Sequence, residues 1–484
     1  MERKAKIVAT IGPSCKDEAT LRKLIQAGLD VARLNFSHGT HEDHANWIQC
    51  IRSLSKELSR PVTVLQDLQG PKLRVGWLPA EGIHLTAGQL ICLKSISAPP
   101  DVIPEQPGVL TIPLDIPDLT HSLSPGKRIL LDDGNLELEI QEIEHGTIKT
   151  KVVLGGLLTS HKGVNFPGAH LDIPGFTEKD HADLLFGLQQ GVDAIAISFV
   201  RTARDIEIIR ETIQQVDPKK ADTPIIAKLE LPQAIDNLHE IIHAVDGVMV
   251  ARGDLGVETS AARVPILQKE IIQTANRHTK TVITATQMLD SMIHNPRPTR
   301  AEASDVANAI FDGTDAVMLS GETASGEYPL ESIQMMDTIV REAEFHFAEW
   351  GSHSAIPDEP TRDDAISTTR AARELAHDRN VAAVALFTQT GKTAILMSKA
   401  RPQVPILAFT PEMATYQRMG LVWGVTPFLV PYANSVEGMI AIVEKAILSS
   451  TSIERGQQVV VVTGFPVGAY IQPNFALLHT IGAK

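Results

Sequence analysis

Between Lys6 and Thr323 the chain alternates short apolar, β-rich runs with helical segments, a pattern that few folds accommodate. Eight runs stand out: Lys6 to Ile11, Val31 to Phe36, Val62 to Asp67, Ala194 to Phe199, Ile225 to Leu229, Gly247 to Ala251, Val282 to Thr286 and Ala316 to Ser320. Continuous apolar runs mark strands buried on both faces, and eight of them separated mostly by helices predict a closed parallel (β/α)8 TIM barrel. In such a barrel the loops at the C-terminal strand ends carry the chemistry. At or just past those ends stand Arg33, Asn35, Ser37, Asp67, Ser198, Lys228, Glu230, Asp254, Thr286 and Ser320, which are expected to converge on one site.

The third run is not followed by a barrel helix. From about Leu68 to Pro167 the sequence is rich in Gly, Pro and short alternating runs, among them Arg128 to Leu131, Leu136 to Ile140 and Thr147 to Val153. Asp132-Asp133-Gly134 between two of these is a hairpin turn signal. The segment reads as an inserted β-barrel-like domain, either a lid over the barrel mouth or a structural decoration. After the eighth run, helical sequence through Met335 to Phe347 leads to a charged, proline-containing stretch near Asp358 to Asp364. Strand candidates at Val381 to Phe387, Pro405 to Phe409, Thr426 to Val430 and Gln458 to Val462 then alternate with helical segments such as Thr393 to Lys399. That alternation predicts an open, mostly parallel α/β sheet. The expected division is a barrel over 1–69 and 169–345, an insert over 70–168 and a C-terminal α/β domain over 346–484.

Composition narrows the class. A chain of 484 residues, 43% hydrophobic and 21% charged, has ample material for more than one core. No run approaches the roughly 18 apolar residues of a membrane span, and charged Glu2, Arg3, Lys4 and Lys6 leave no room for the apolar core of a signal peptide. Cys15, Cys50 and Cys92 lie far apart without metal-ligand spacing, so reduced thiols and a cytoplasmic location are expected. The formal charge of −14 argues against broad nucleic-acid binding. A local pocket formed by Arg33, Arg74 and Lys228 would still suit a phosphorylated anion.

The sharpest chemistry lies on the fifth and sixth runs. Lys228 and Glu230 are two apart on a strand, so both side chains leave the same face. Glu230 and Asp254, at adjacent strand ends, would give a divalent cation two carboxylates and leave room for substrate oxygens, an arrangement suited to Mg²⁺ in phosphoryl transfer. The Gly253-Asp254-Leu255-Gly256 turn can present backbone N–H groups to a carboxylate or phosphate. Taken singly, each carboxylate reads equally as a surface ion pair. In the C-terminal domain, Thr388-Gln389-Thr390-Gly391-Lys392-Thr393 lies between an apolar run and a helix and offers hydroxyls, a lysine and a helix N-terminus. It is not a P-loop, because the first glycine of GxxxxGK would fall at Leu386.

The strings KIVATIGP at Lys6 to Pro13, VARLNFSHG at Val31 to Gly39, MVARGDLG at Met249 to Gly256, TATQMLDSM at Thr284 to Met292, PTRAEASDVA at Pro298 to Ala307 and MLSGET at Met318 to Thr323 resemble the pyruvate kinase family, nearly end to end. The resemblance implies a Mg²⁺- or Mn²⁺-dependent transfer of phosphoryl from phosphoenolpyruvate to ADP, giving pyruvate and ATP. It implies that the substrate carboxylate lies near the backbone of Gly253 and Asp254 and the Thr286 hydroxyl, with the phosphoryl group facing Arg33 and Lys228. Glu230 and Asp254 would hold the metal that stabilises the enolate, and Thr286 and Ser320 are candidates for a proton relay, although a threonine at a strand end is more often structural. Asn35, Ser37, His38, Arg74 and Lys162 of HKGVNFPG match the nucleotide side, and Asp133 matches a residue that approaches when the lid closes. The resemblance further implies a homotetramer, with Arg300 a candidate inter-subunit contact.

Two departures qualify it. Where many members read KIEN, this chain has Lys228-Leu229-Glu230-Leu231, losing an amide beside the glutamate. Potassium-dependent members have Thr, Lys, Glu and Thr where this chain has Leu68, Gln69, Lys72 and Val75. With Asn35, Ser37 and Asp67, Lys72 thus falls among the monovalent-cation-site equivalents, and its ammonium can stand in for the cation, so K⁺ independence is expected. In relatives the loop matching Thr388 to Thr393 binds an activating sugar phosphate; the partner loop TGFPVG, Thr463 to Gly468, lacks the arginine of some bisphosphate-activated members, pointing to a hexose or pentose monophosphate. A Mg²⁺-enolate aldolase and a non-catalytic sugar-phosphate sensor stay open as alternatives. The first would have little use for Lys162, Arg74 or a lid, and the second would be expected to have lost Lys228 or a metal carboxylate.

Overall fold

The computed structural model describes residues 3–95, 109–116, 120–144, 146–169, 171, 173–351, 361–469 and 471–483. Eight parallel strands close into a barrel: Lys6–Thr10, Val31–Asn35, Thr63–Asp67, Ala194–Ile197, Ile225–Leu229, Gly247–Ala251, Thr281–Ala285 and Ala316–Leu319, the last pairing back onto the first. The alternation of side chains along each strand builds two cores. Val8, Val31, Leu65, Ile226, Met249 and Ile283 fill the barrel interior, while Ile7, Leu34, Ile195, Ala227 and Val250 face outward and are covered by the surrounding helices. Those helices begin where polar side chains satisfy free N–H groups: Thr177 with Asp180, Thr40 with Asp43 and Thr299 with Glu302 each form a reciprocal capping box.

Several strands end earlier than their sequence suggests. The expected strand Val282 to Thr286 runs instead over Thr281–Ala285, and Ala194 to Phe199 stops at Ile197. Thr286 and Phe199 have β-forming side chains, but their φ angles are +68° and +54°, outside any strand conformation. Both sit at the mouth, where the chain turns sharply out of the barrel.

The insert contains a seven-stranded sheet around its own core, including Val75, Leu93, Ile112, Leu131, Leu138 and Phe166. Arg128–Leu131 and Leu136–Glu144 pair antiparallel, and the turn between them has Asp132, Asp133 and Gly134 all at positive φ (52°, 54° and 88°). The hairpin reading of that turn is therefore met, although the second strand runs four residues beyond Ile140.

In the C-terminal domain the strand order is Val425–Leu429, Ile406–Thr410, Ala383–Phe387, Gln458–Thr463 and Phe475–Thr480. The first four are parallel, and Pro427 sits on an edge strand, where its missing N–H is tolerated. The fifth, antiparallel to its neighbour, has no counterpart in the sequence reading; it is half-buried along its whole length and lacks a clear period-two pattern. Of the expected linker near Asp358 to Asp364, residues 358–360 lie outside the described residues, and Asp364 already opens the helix Asp364–Asp378.

This domain docks on the N-terminal ends of the barrel strands, opposite the polar ends. Lys6 Nζ donates to the carbonyl of Val425 at 2.9 Å and Thr63 Oγ1 to that of Gln417 at 2.6 Å. Lys399, almost wholly buried, ion-pairs with Asp315 and donates to Asn276 Oδ1 at 2.6 Å. Arg401 reaches the same Asp315 at 2.8 Å and lies 4.2 Å from the Trp423 ring centroid.

Candidate active site

At the mouth the strand ends bring five charged side chains together. Arg33, from the second strand, donates from Nε to Asp67 Oδ2 at 2.7 Å and from Nη1 to Thr10 Oγ1 at 2.8 Å. Asp67, from the third, is 1% exposed. Lys228, from the fifth, places its ammonium 3.4 Å from Asp67 Oδ1, 2.9 Å from Glu230 Oε1 and 2.8 Å from Ser198 Oγ, to which it donates. Glu230 accepts the N–H of Phe199 at 2.7 Å on its other oxygen, a bond that uses the left-handed turn at Phe199. Asp254 follows on the helix Arg252–Glu258, close enough that its charge acts on both Lys228 and Glu230.

The electrostatics of this cluster are unequal. Burial alone raises the Asp67 carboxyl, but Lys228 and then Arg33 outweigh it and hold the group below its ordinary range. Burial disfavours the Lys228 ammonium, yet Asp67 and Glu230 overcome that and raise its pKa. Glu230 goes the other way: burial pushes it up to about 7, Lys228 offsets only part of this, and Asp254 adds repulsion. A buried carboxylate short of positive charge, beside a second carboxylate, fits a cation-binding role. Among the described residues no group of three or more His, Cys, Asp or Glu side chains is arranged to hold a metal, so a cation on Glu230 and Asp254 needs further oxygens from a bound molecule.

The turns at the mouth around Thr286 and Ser320 are organised by two residues that sequence reasoning passed over. Arg252 lies just before Gly253 in the MVARGDLG string; its guanidinium ion-pairs with Asp305 at 2.7 Å and donates to the carbonyl of Thr286 at 2.8 Å, fixing the left-handed turn. Thr286 Oγ1 in turn accepts the N–H of Gly253 at 2.8 Å. Glu322, in MLSGET, is buried and accepts the N–H groups of Ser320 at 2.7 Å and Leu289 at 3.1 Å; burial raises its pKa. Both signals were present, but inside strings whose neighbours drew attention. Ser320 Oγ is buried with no hydrogen-bond partner, an unmet demand that a ligand or water can fill.

A cavity of about 610 Å³ between insert and barrel reaches the strand-end cluster at Asp254 and Phe199 and has Lys72 and Asp133 in its wall, whereas Asn35, Ser37, His38, Arg74 and Lys162 are not among the residues lining it. Lys72 is exposed; the cations acting on Asp67 are Lys228 and Arg33. Lys72 instead acts with Arg74 and Arg33 on His38, whose pKa is lowered first by burial and then by these three charges. Asn35 Oδ1 accepts the N–H of Ser37 at 3.1 Å. Arg74 donates to the carbonyl of His161 at 2.8 Å, and Lys162 is ion-paired with Asp132 at 2.6 Å within the insert. Far from the mouth, Thr388, Gln389, Thr390, Lys392 and Thr393 line a second cavity of about 400 Å³, into which the barrel contributes Asp222. Gly391, at φ +84°, caps the helix Lys392–Lys399.

Comparison with known proteins agrees with this architecture. Residues 2–333 match the family model "Pyruvate kinase, barrel domain" and residues 366–479 match "Pyruvate kinase, alpha/beta domain". A pyruvate kinase of Geobacillus stearothermophilus is 44% identical, over 99% of this chain and 81% of its own length. One from Mycobacterium tuberculosis is 40% identical over 100% of this chain and 99% of its own, and pyruvate kinase 2 of Synechocystis is 46% identical over 89% and 71%.

Proposed function

The chain belongs to the pyruvate kinase family, and from that premise we propose how its residues divide the work of phosphoryl transfer between phosphoenolpyruvate and ADP. Family membership removes the aldolase and sensor alternatives. The observation that carries the assignment is the buried Lys228 ammonium held between Asp67 and Glu230, with Arg33 on the far side of Asp67. Phosphoryl transfer depends mainly on positioning and on neutralising the equatorial oxygens, and these two cations face the place where the phosphoryl group would lie. In this reading the substrate carboxylate displaces the bond between the Gly253 N–H and Thr286 Oγ1, taking that N–H, the N–H of Asp254 and the Thr286 hydroxyl, which otherwise donates to the carbonyl of Ala285. Thr286 and Ser320 are the hydroxyls poised for the proton that reaches the enolate, Ser320 being the better placed because its Oγ has no competing partner.

The family generally uses Mg²⁺ and K⁺. Glu230 and Asp254 are the residues that would hold Mg²⁺ or Mn²⁺ here. Such a cation supplies neutralisation of charge on the transferring phosphoryl oxygens and on the enolate. Asn35, Ser37, His38, Arg74 and Lys162 bind the nucleotide in this reading, Lys162 after leaving Asp132. K⁺ is not required, on the ground that Leu68, Gln69, Lys72 and Val75 all depart from the potassium-dependent pattern; Lys72, exposed at the cleft, supplies positive charge on the side of His38. ATP formation from phosphoenolpyruvate and ADP, measured with Na⁺ or a quaternary ammonium ion as the sole monovalent cation, tests both statements. A tenfold rise on adding K⁺ overturns the second.

The cavity at Thr388 to Thr393 suits a sugar monophosphate: it offers one lysine, several hydroxyls and the N-terminus of the helix Lys392–Lys399. Activation by glucose 6-phosphate or ribose 5-phosphate that disappears in Lys392→Ala supports a regulatory site there, and an unchanged response removes it. A homotetramer in the cytoplasm completes the reading, with Arg300 at a subunit contact; no helix among the described residues is long and apolar enough to cross a membrane.

A further inference from the structure

Asn165 of the insert donates from Nδ2 to Glu258 Oε1 of the barrel at 2.8 Å. The bond joins two short elements that each carry working groups. Asn165 lies three residues after Lys162, on the strand Val164–Asn165, which pairs with Leu130 and Leu131 just before the Asp132-Asp133-Gly134 turn. Glu258 ends the helix Arg252–Glu258, one turn beyond Asp254 on the same side. A second contact accompanies it: a Cβ built on Gly134 would stand 3.9 Å from Val257 Cγ2, so the insert's turn rests against that helix. Glu258 is only 9% exposed, and a buried carboxylate that loses a donor pays a desolvation cost, so movement of the insert is felt at this helix.

We propose that the Asn165–Glu258 hydrogen bond is the latch that seats the insert against the helix bearing Gly253 and Asp254, making both residues positioning residues for phosphoryl transfer. The inference rests on the reading of Lys162 as a nucleotide-side group and of Asp133 as a residue that approaches when the lid closes. Whether the insert is a lid or a decoration then has a structural answer: its nucleotide-facing edge is fastened to the metal-side helix by one exchangeable bond. The pair can be exchanged by substitution, since an amide at 258 would donate to a carboxylate at 165 as Asn165 now donates to Glu258.

That exchange of roles gives the test. Asn165→Asp sets two carboxylates face to face, and kcat/KM for ADP is expected to fall about tenfold, a loss fitting one charge-assisted bond. Glu258→Gln keeps an acceptor for Asn165 and is expected to stay within about threefold of the parent. The double variant Asn165→Asp/Glu258→Gln restores a donor and acceptor with roles exchanged, and recovers most of the lost kcat/KM. Amide hydrogen exchange over residues 255–259, measured without nucleotide, should quicken in Asn165→Asp and return in the double variant. A fall of less than about twofold in Asn165→Asp, or a double variant no better than that single one, overturns the proposal. Altered exchange with unaltered kinetics overturns the positioning role. Lys162→Ala is run alongside: an unchanged KM for ADP there defeats the nucleotide-side reading, while exchange in the double variant still decides the latch.

Discussion

The barrel has a buried lysine–aspartate cluster at each end, and the two differ in how fully their carboxylates are paired. At the floor, Asp315 takes Lys399 and Arg401 on its two oxygens, accepts the N–H of Val282 at 2.7 Å, and is sealed by the C-terminal domain. At the mouth, three carboxylates face two cations; Glu230 is left with a raised pKa, Ser320 Oγ has no partner, and a cleft opens at Asp254. The same residue types therefore serve opposite ends. At the floor one aspartate shared by Lys399 and Arg401 joins two domains, while in the reading proposed above the mouth carboxylates meet charge that arrives with substrate and metal.

Substitution at the mouth should damage activity more than the fold. Lys228→Met is expected to lower kcat about a thousandfold, since in the reading proposed above it deletes a charge aimed at the transferring group, while the fold loses less, because Arg33 still faces Asp67 and Glu230, at about 7, can take up a proton. A variant that keeps more than about a tenth of the parental kcat would place Lys228 outside the chemistry. The floor should behave in reverse. Asp315→Asn leaves Lys399 and Arg401 buried without counter-charge, so denaturant unfolding is expected to show a loss of ~3 kcal/mol, with kcat per folded enzyme near the parental value. Equal damage to both properties in either variant would erase the distinction between the two clusters.

How far each cluster was legible in the sequence follows from what built it. The mouth residues sit at the ends of apolar runs, so barrel topology alone gathered Arg33, Asp67, Lys228 and Glu230. Ends were misplaced at Thr286 and Phe199, because nothing in a β-branched or aromatic residue announces a left-handed φ imposed by tertiary contacts. Arg252 was missed because its partner Asp305 is 53 residues away. The floor was unreadable for the same reason on a larger scale: Lys399 entered only as the end of the helical segment Thr393 to Lys399, and its partner lies 84 residues back in another domain. The fifth C-terminal strand, half-buried on both faces, carried no periodicity to detect.

Ser320 sharpens the comparison at smaller magnitude. Its Oγ makes no bond that Ser320→Ala would break, so stability should hold or rise slightly, while kcat should fall about tenfold if, as proposed above, this hydroxyl relays the proton. A variant with full kcat would leave Thr286 as the remaining candidate.

At neutral pH the smallest effect is at the floor, where it grows only as pH rises. Burial pulls Lys399 from its ordinary 10.5 down to about 8, and Asp315 restores only part of the loss. The folded state thus releases this proton at lower pH than the unfolded chain does. Between about pH 8 and 10.5 the unfolded chain binds the extra proton, so unfolding free energy rises with pH, by up to ~1.4 kcal/mol per unit, and the contribution is flat below pH 8. Because the ammonium's burial already opposes its pairing, and Asp315 retains Arg401, Lys399→Met should cost no more than ~1 kcal/mol at pH 7. Subtracting its pH–stability curve from the parental curve isolates the slope. A difference that falls as pH rises would mean that pairing, not desolvation, governs Lys399, and that the floor is held by charge in the way the mouth is.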